Sequence, residues 1–281
     1  MENLLKLLPL KIAAELERLS CVNKEVTEIR LRSQKPLCVM CGNIPRFLNT
    51  VISQNDINIT VKMLCNNSVY AHTKELNSGY ISLPFGHRAG VTGNFLGDNL
   101  CEFSSVNIRI ARQVIGAATN LSDKITGGVL LAGPPASGKT TVLRDLVRQL
   151  SNQNFKVSVV DTRGEISAFA GGVIYNDLGL NTDVLFGIDK EKGIEIALRT
   201  MSPQYIAFDE IGTKEELKRV FESVNGGANI ITTAHIGSAE QLLKREVTNR
   251  LILSGAVDTV VILDAFYNKK IIKVKDLIGC T

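Results

Sequence analysis

The chain has 281 residues and is 44% apolar, enough to bury a core as one large domain or two ordinary ones. Its net charge of +4, with 5% aromatic residues and no tryptophan, is too mild a basic balance to indicate a nucleic-acid binder. No apolar run is long enough to cross a bilayer, and Met1-Glu2-Asn3-Leu4-Leu5-Lys6 lacks a basic start and a cleavage site, so neither a membrane span nor a signal peptide is expected.

Leu4, Leu5, Leu8, Ile12, Leu16 and Leu19 recur at helical spacing over residues 3–20 and predict an amphipathic helix interrupted by Pro9. Glu28-Ile29-Arg30-Leu31-Arg32 alternates as a half-buried strand does. Residues 37–41 and 46–48 predict a hairpin around Gly42-Asn43. The six cysteines are Cys21, Cys38, Cys41, Cys65, Cys101 and Cys280. Cys38 and Cys41 form a C-x-x-C with no second pair at zinc-finger spacing, inside a strand-like run. They read as small buried hydrophobes, and a reducing cytoplasm without a disulfide framework is expected.

Asn55-Asp56 is placed to cap a helix running to about residue 64, and a second short helix fits residues 69–76. Residues 79–83 and 88–93 read as strands joined at Pro84-Phe85-Gly86, and residues 105–112 alternate again. The result is a small α+β domain, residues 1–115. The Gly-, Ala- and Asn-bearing stretch 113–126 marks its end. Residues 116–281 then alternate short apolar strands (129–132, 157–160, 205–208, 229–233, 257–263) with helical segments, the α/β pattern of a mostly parallel sheet. Residues 270–274 add an edge strand.

Gly133-Pro134-Pro135-Ala136-Ser137-Gly138-Lys139-Thr140-Thr141 fits G-x-x-x-x-G-K-[ST] between a buried strand and an amphipathic helix. Its glycines let the backbone turn N–H groups around a polyphosphate, and the helix start adds the positive end of its dipole. Lys139 would reach the β- and γ-phosphates of ATP, and Thr140 would hold Mg²⁺. Asp161-Thr162-Arg163-Gly164-Glu165 follows the next strand. There Glu165 has the chemistry to activate water and Arg163 to meet developing phosphate charge; the plainer reading is a solvated turn with an internal ion pair.

Tyr205-Ile206-Ala207-Phe208 ends in Asp209-Glu210, two carboxylates at the edge where open α/β sheets bind ligands. Asp209 suits Mg²⁺ and Glu210 the attacking water. Thr232-Thr233-Ala234-His235 ends another strand at that edge, where His235 either senses a γ-phosphate or is an ordinary hydrogen-bonded histidine. A nucleotide there would need a further cation. Arg199 precedes the second carboxylate strand; Arg88, Arg109 and Arg112 lie in the first domain, and Arg88, framed by Gly86 and Gly90, is preferred.

The order of these segments resembles the Walker A, Asp box, Walker B and His box of the type II/type IV secretion ATPases. The whole chain is similar to the stage III sporulation protein AA family of endospore-forming bacteria. Glu28 to Arg32, Gly79-Tyr80, Gly86-His87-Arg88, Asn107 to Arg112 and the phosphate-loop residues carry that likeness. The resemblance implies a RecA-like, ATP-hydrolysing P-loop core with Mg²⁺, behind a smaller N-terminal α+β domain. It makes Glu165 the Asp-box glutamate, Glu210 the Walker B glutamate and His235 the His-box histidine, and it brings Arg199 into play. It further implies a homo-oligomer, a hexamer in much of the superfamily. It also implies a cytoplasmic location with peripheral docking on a membrane protein of a sporulation channel; the composition separately leads to no expected nucleic-acid partner. Walker B here reads Asp-Glu where many relatives read Gly-Glu, so the division of labour between Glu165 and Glu210 stays open. Two other readings stand beside a secretion-type ATPase. One is a nucleic-acid-stimulated RecA-like ATPase, which would want a basic, aromatic surface. The other is a nucleotide-gated scaffold that does not hydrolyse.

Overall fold

The computed structural model describes residues 2–19, 26–42, 44–170, 172–211, 214–264 and 268–278. Cys21, Cys280 and the Asn43 of the expected hairpin turn lie outside them. The chain divides into two compact units, Met1–Arg112 with Phe169–Tyr175, and Gln113–Ala168 with Asn176–Thr281.

In the first unit, helices α1 (Glu2–Leu5) and α2 (Leu10–Glu17) are separated as Pro9 dictates, with Pro9 itself the residue before α2. Strands β1 (Val26–Arg32), β2 (Lys35–Cys41) and β3 (Ile44–Ile52) follow, then helix α3 (Gln54–Leu64). The cap of α3 is Ser53. Its hydroxyl accepts from the Asp56 N–H while the Asp56 carboxylate accepts from the Ser53 N–H, a reciprocal box that corrects the expected Asn55-Asp56 cap. A 3₁₀ turn and the short α4 (Thr73–Asn77) lead into β4 (Tyr80–Ser82), β5 (Arg88–Leu96) and β6 (Asn99–Arg109). β6 begins six residues earlier than its alternation alone suggests, because it pairs with β5 out to Leu96 and Asn99.

The strands form one antiparallel sheet, ordered β3-β2-β1-β6-β5-β4. Alternation decides which face is covered. Ile29, Leu31, Leu37, Val39, Val106 and Ile108 join Leu4, Leu8, Ile12, Ile57 and Val61 in one core. Each such burial contributes about 1.5–3 kcal/mol. Cys38 and Cys65 are buried and free, as small hydrophobes would be; Cys41 is half-buried. The stretch Phe169–Tyr175, placed by sequence in the second domain, belongs to this unit, where the Tyr175 ring packs 4.3 Å from that of Phe85.

The second unit contains β7 (Val129–Gly133), α5 (Lys139–Asn152), β8 (Val157–Asp161), β9 (Thr182–Phe186), α6 (Lys190–Thr200), β10 (Tyr205–Phe208), α7 (Lys214–Asn225), β11 (Asn229–His235), α8 (Ala239–Lys244), α9 (Glu246–Leu253), β12 (Thr259–Leu263), β13 (Lys269–Lys273) and α10 (Val274–Ile278). The sheet order is β13-β12-β7-β11-β10-β8-β9, parallel except for the edge strand β13. Its inner strands are largely apolar because both faces are covered, with Ser158 of β8 and Thr232 and Thr233 of β11 among the buried polar exceptions. Val129, Leu131, Val157, Val159 and Ala207 pack with Val142, Leu143, Leu146 and Leu150 of α5. Leu130, Ala132, Val160, Ile206 and Phe208 turn the other way, against α6, α7 and α9. Strand β9 is not foreseen by sequence. It is an edge strand, half-exposed, with no continuous apolar run. Among the described residues no helix is long and apolar enough to cross a membrane.

His87 in the first unit is only 7% exposed and its Nδ1 accepts from the Ala111 N–H at 3.0 Å. Burial pushes its pKa down to about 4, so it is neutral in the fold and charges more readily in the unfolded chain. The stability it contributes is therefore complete above its ordinary pKa and is lost as pH falls towards the folded value. Urea unfolding should show a loss of about 2 kcal/mol from this group by about pH 5. His87→Asn, whose amide oxygen can take over the acceptor role, should flatten that part of the pH profile.

Candidate functional site

Four neighbouring parallel strands end at one edge of the second sheet. The register pairs Phe208 with Val160 and His235 with Gly133, so the residues that follow or end each strand meet in one place. They surround a cleft of about 930 Å³. Its walls include Lys139, Thr140, Glu165, Asp209, Glu210 and His235.

The loop from Gly133 to Gly138 forms one wall. Gly133 must be glycine: a Cβ there would lie 2.4 Å from Ser137 Oγ and 2.8 Å from the Leu263 carbonyl oxygen. Gly138 turns into α5 at φ 83°, and Ala136 holds φ 61°, a left-handed conformation that costs a non-glycine residue about 1 kcal/mol or more. No side chain caps α5, so its first N–H groups are left for a ligand. Ser137 Oγ is buried without a hydrogen-bond partner. Lys139 is 5% exposed, and its ammonium donates to the carbonyls of Gly133 (2.9 Å) and Pro134 (2.8 Å) and to His235 Nδ1 (3.1 Å). Burial lowers its pKa, and Glu210 and Asp209 oppose that shift.

An ammonium can only donate, so His235 Nδ1 is the acceptor and the ring proton sits on Nε2. That Nε2 lies 3.4 Å from Glu210 Oε2. Asp209 is held by its neighbours on β11: Thr233 Oγ1 donates to Asp209 Oδ1 at 3.0 Å, and Thr232 Oγ1 donates to its carbonyl at 3.1 Å. The threonines thus orient the carboxylate. Lys190, at the start of α6, donates to the Glu210 carbonyl and lies 3.6 Å from the Glu216 carboxylate.

The turn after β8 is built around Asp161. Its Oδ1 accepts from the Glu165 N–H (3.0 Å); its Oδ2 accepts from the N–H groups of Ile166 (3.1 Å) and Ser167 (2.7 Å) and from Ser167 Oγ (2.6 Å). Asp161 is therefore a backbone anchor; both it and Glu165 line the cleft, Asp161 buried and Glu165 exposed. Arg163 lines it too, from an exposed position.

The other candidate arginines are each held within their own unit. Arg199 sits at the far end of α6, 75% exposed, paired with Glu195 at 2.8 Å, and does not line the cleft of its own chain. Its helix begins at the carboxyl edge and runs away from it before β10 begins. Arg88 belongs to the first unit, where its guanidinium stacks 3.7 Å above the Tyr80 ring. Arg109 lies 3.9 Å from Glu28, and Arg112 donates to the Val26 carbonyl at 2.8 Å.

Sequence reading misses Lys190 and Glu216. The signal for Lys190 is the start of a helix just beyond β9, which places it at the carboxyl edge once that strand is recognised.

The residues present fit a triphosphate and a hard cation. Buried donors, free helix N–H groups and Lys139 suit phosphoryl oxygens, and Thr140 with Asp209 supplies oxygen ligands of the kind Mg²⁺ prefers. Asp161→Asn, which turns one acceptor of this turn into a donor, should lower the stability of the chain by about 2–4 kcal/mol in chemical unfolding.

A family model described as sporulation stage III, protein AA, matches residues 1–277. Stage III sporulation protein AA of Bacillus subtilis (strain 168) is 34% identical over 248 residues, covering 83% of this chain and 81% of that protein. Among solved structures, the Legionella pneumophila ATPase DotB superposes with a TM-score of 0.66 at 16% identity, over 98% of this chain and 84% of its own. The pilus retraction motor PilT with bound ADP gives 0.61 at 15%, over 88% and 77%. At these identities the structural likeness is one of fold: an α/β, RecA-like core and a smaller α+β unit.

Proposed function

The chain belongs to the sporulation stage III, protein AA family, and from that membership we propose that it is a secretion-type ATPase that powers or assembles a channel between mother cell and forespore. The observation that carries the enzymatic part is the single cleft in which Lys139 and Thr140 of the phosphate loop face Asp209, Glu210 and Glu165. A bare phosphate-binding loop would need no carboxylates opposite it.

In this reading the loop N–H groups and Lys139 bind the β- and γ-phosphates. Thr140 and Asp209 hold Mg²⁺, which when bound offsets the negative charge of the phosphoryl oxygens. Glu210 takes a proton from the attacking water, and the hydroxide oxygen displaces ADP from the γ-phosphorus. The His235 Nε2–H steadies the Glu210 carboxylate, and Glu165 orients the water from the facing turn. A cation on the developing charge remains to be supplied. Arg199, exposed on its own chain, suits a neighbouring copy in a ring; Arg88 of the first unit is the other candidate. Slow turnover alone and faster turnover in the assembly follow from that arrangement. A cytoplasmic protein that docks peripherally on a membrane partner completes the reading.

Steady-state ATP hydrolysis should give a rate per subunit that rises with protein concentration. Lys139→Ala should abolish both binding and turnover. Glu210→Gln should lower kcat by about 100-fold or more while nucleotide still binds. A near-zero rate at every concentration, with nucleotide binding intact, would overturn hydrolysis and support a nucleotide-gated scaffold. Stimulation by single-stranded DNA or RNA would instead favour the nucleic-acid-dependent class.

A further inference from the structure

Arg144 lies on α5, the helix that opens with Lys139 and Thr140. Its guanidinium does not line the cleft. It turns to the Asp161 turn, where one terminal nitrogen donates to the Glu165 carbonyl at 2.7 Å and Nε donates to the Ile166 carbonyl at 3.1 Å. Ile166 O also accepts from Asn176 Nδ2 at 2.8 Å. The N–H groups of the same residues are already held by the Asp161 carboxylate. The backbone on both sides of Glu165 is thus pinned through its donors by one side chain and through its acceptors by another.

The two clamps differ in origin. Asp161 belongs to β8 and travels with the turn. Arg144 belongs to the phosphate-loop helix, so it fixes the turn relative to Lys139 and Thr140. A planar fork of donors suits two successive carbonyls, which a lysine ammonium cannot span in the same way. Glu165 is an exposed side chain on a turn, and its reach towards a reacting water depends on where its backbone stands. A displacement of about 1 Å in such a group costs up to about 100-fold in rate.

We propose that Arg144 is a positioning residue: it holds Glu165 at a fixed distance from the phosphate loop and so sets the turnover rate without touching nucleotide. This rests on the ATPase reading above, in which Glu165 orients the attacking water.

The test is a double-mutant cycle in the full chain with Arg144→Gln, Glu165→Gln and the pair, alongside Arg144→Lys. The readouts are kcat, KM for ATP, equilibrium binding of a fluorescent ADP analogue, and chemical unfolding. Arg144→Gln should lower kcat by about 10- to 100-fold while KM and ADP affinity stay within about twofold. On the Glu165→Gln background it should add almost nothing, because the group it positions is already gone. Arg144→Lys should fall between wild type and Arg144→Gln. Rate losses that multiply in the pair, or an unchanged kcat in Arg144→Gln, would overturn the proposal. If Arg144→Gln fails to fold, Arg144→Lys decides: a reduced kcat supports the role, and a wild-type kcat overturns it. A wild-type chain that binds ADP but never turns over ATP overturns the ATPase reading and this inference with it. Wild-type turnover that Arg144 substitutions leave intact overturns the inference alone.

Discussion

Parallel strands all point their carboxyl ends the same way, and that constraint organises everything in the second unit. β7, β8, β10 and β11 are buried on both faces, so their register is locked largely by apolar contacts. Gly133, Asp161, Asp209 and His235 come together because the strands beneath them cannot slip. The site inherits its precision from the core. A strand shifted by one residue would turn its apolar side chains onto the wrong face and move its terminal residue by about 3 Å.

Around that edge the charges are arranged in connected pairs. Lys139 is nearly buried, which by itself disfavours its charge; the carboxylates of Glu210 and Asp209 oppose that effect. His235 joins the lysine to Glu210 through its two ring nitrogens. Lys190 reaches the same glutamate through its backbone and ties it to α7 by way of Glu216. Arg144 does the corresponding job for the opposite turn. Burial lowers its guanidinium pKa, and the nearby Asp161 and Glu165 counter that effect. Glu210 and Glu165 therefore each have a second residue bonded to their backbone carbonyl.

What was legible in the sequence was whatever depends on local pattern. The phosphate-loop motif is a contiguous string, and the buried parallel strands are short, largely apolar runs that alternate with helical segments. The carboxylates at strand ends followed from those two facts. What escaped depends on partners far along the chain. Thr182-Asp183-Val184-Leu185-Phe186 is a strand only because β8 offers it an edge. Ser53 and Asn55-Asp56 are competing caps whose order is decided by geometry. Arg144 bonds to backbone carbonyls, which every residue has, so no residue type announces its partner. Arg199 precedes β10 in sequence, but its helix feeds the start of that strand and so ends at the opposite edge of the sheet from Asp209 and Glu210.

The first unit is discontinuous. The chain leaves it after Arg112, builds β7, α5 and β8 of the second unit, returns for Phe169–Tyr175 and departs again. Three peptide crossings therefore join the units instead of one. Each crossing is tied down on the second-unit side: Gln113 exchanges two hydrogen bonds with the backbone of Asp177, and Asn176 bonds to Ser167 and Ile166. During synthesis from the amino end, the first unit cannot become complete when its own sheet has been made. It waits until residue 175 has emerged, by which time the phosphate loop and two central strands are already present. A single backbone nick in any one linker would leave the two units still joined by the other two.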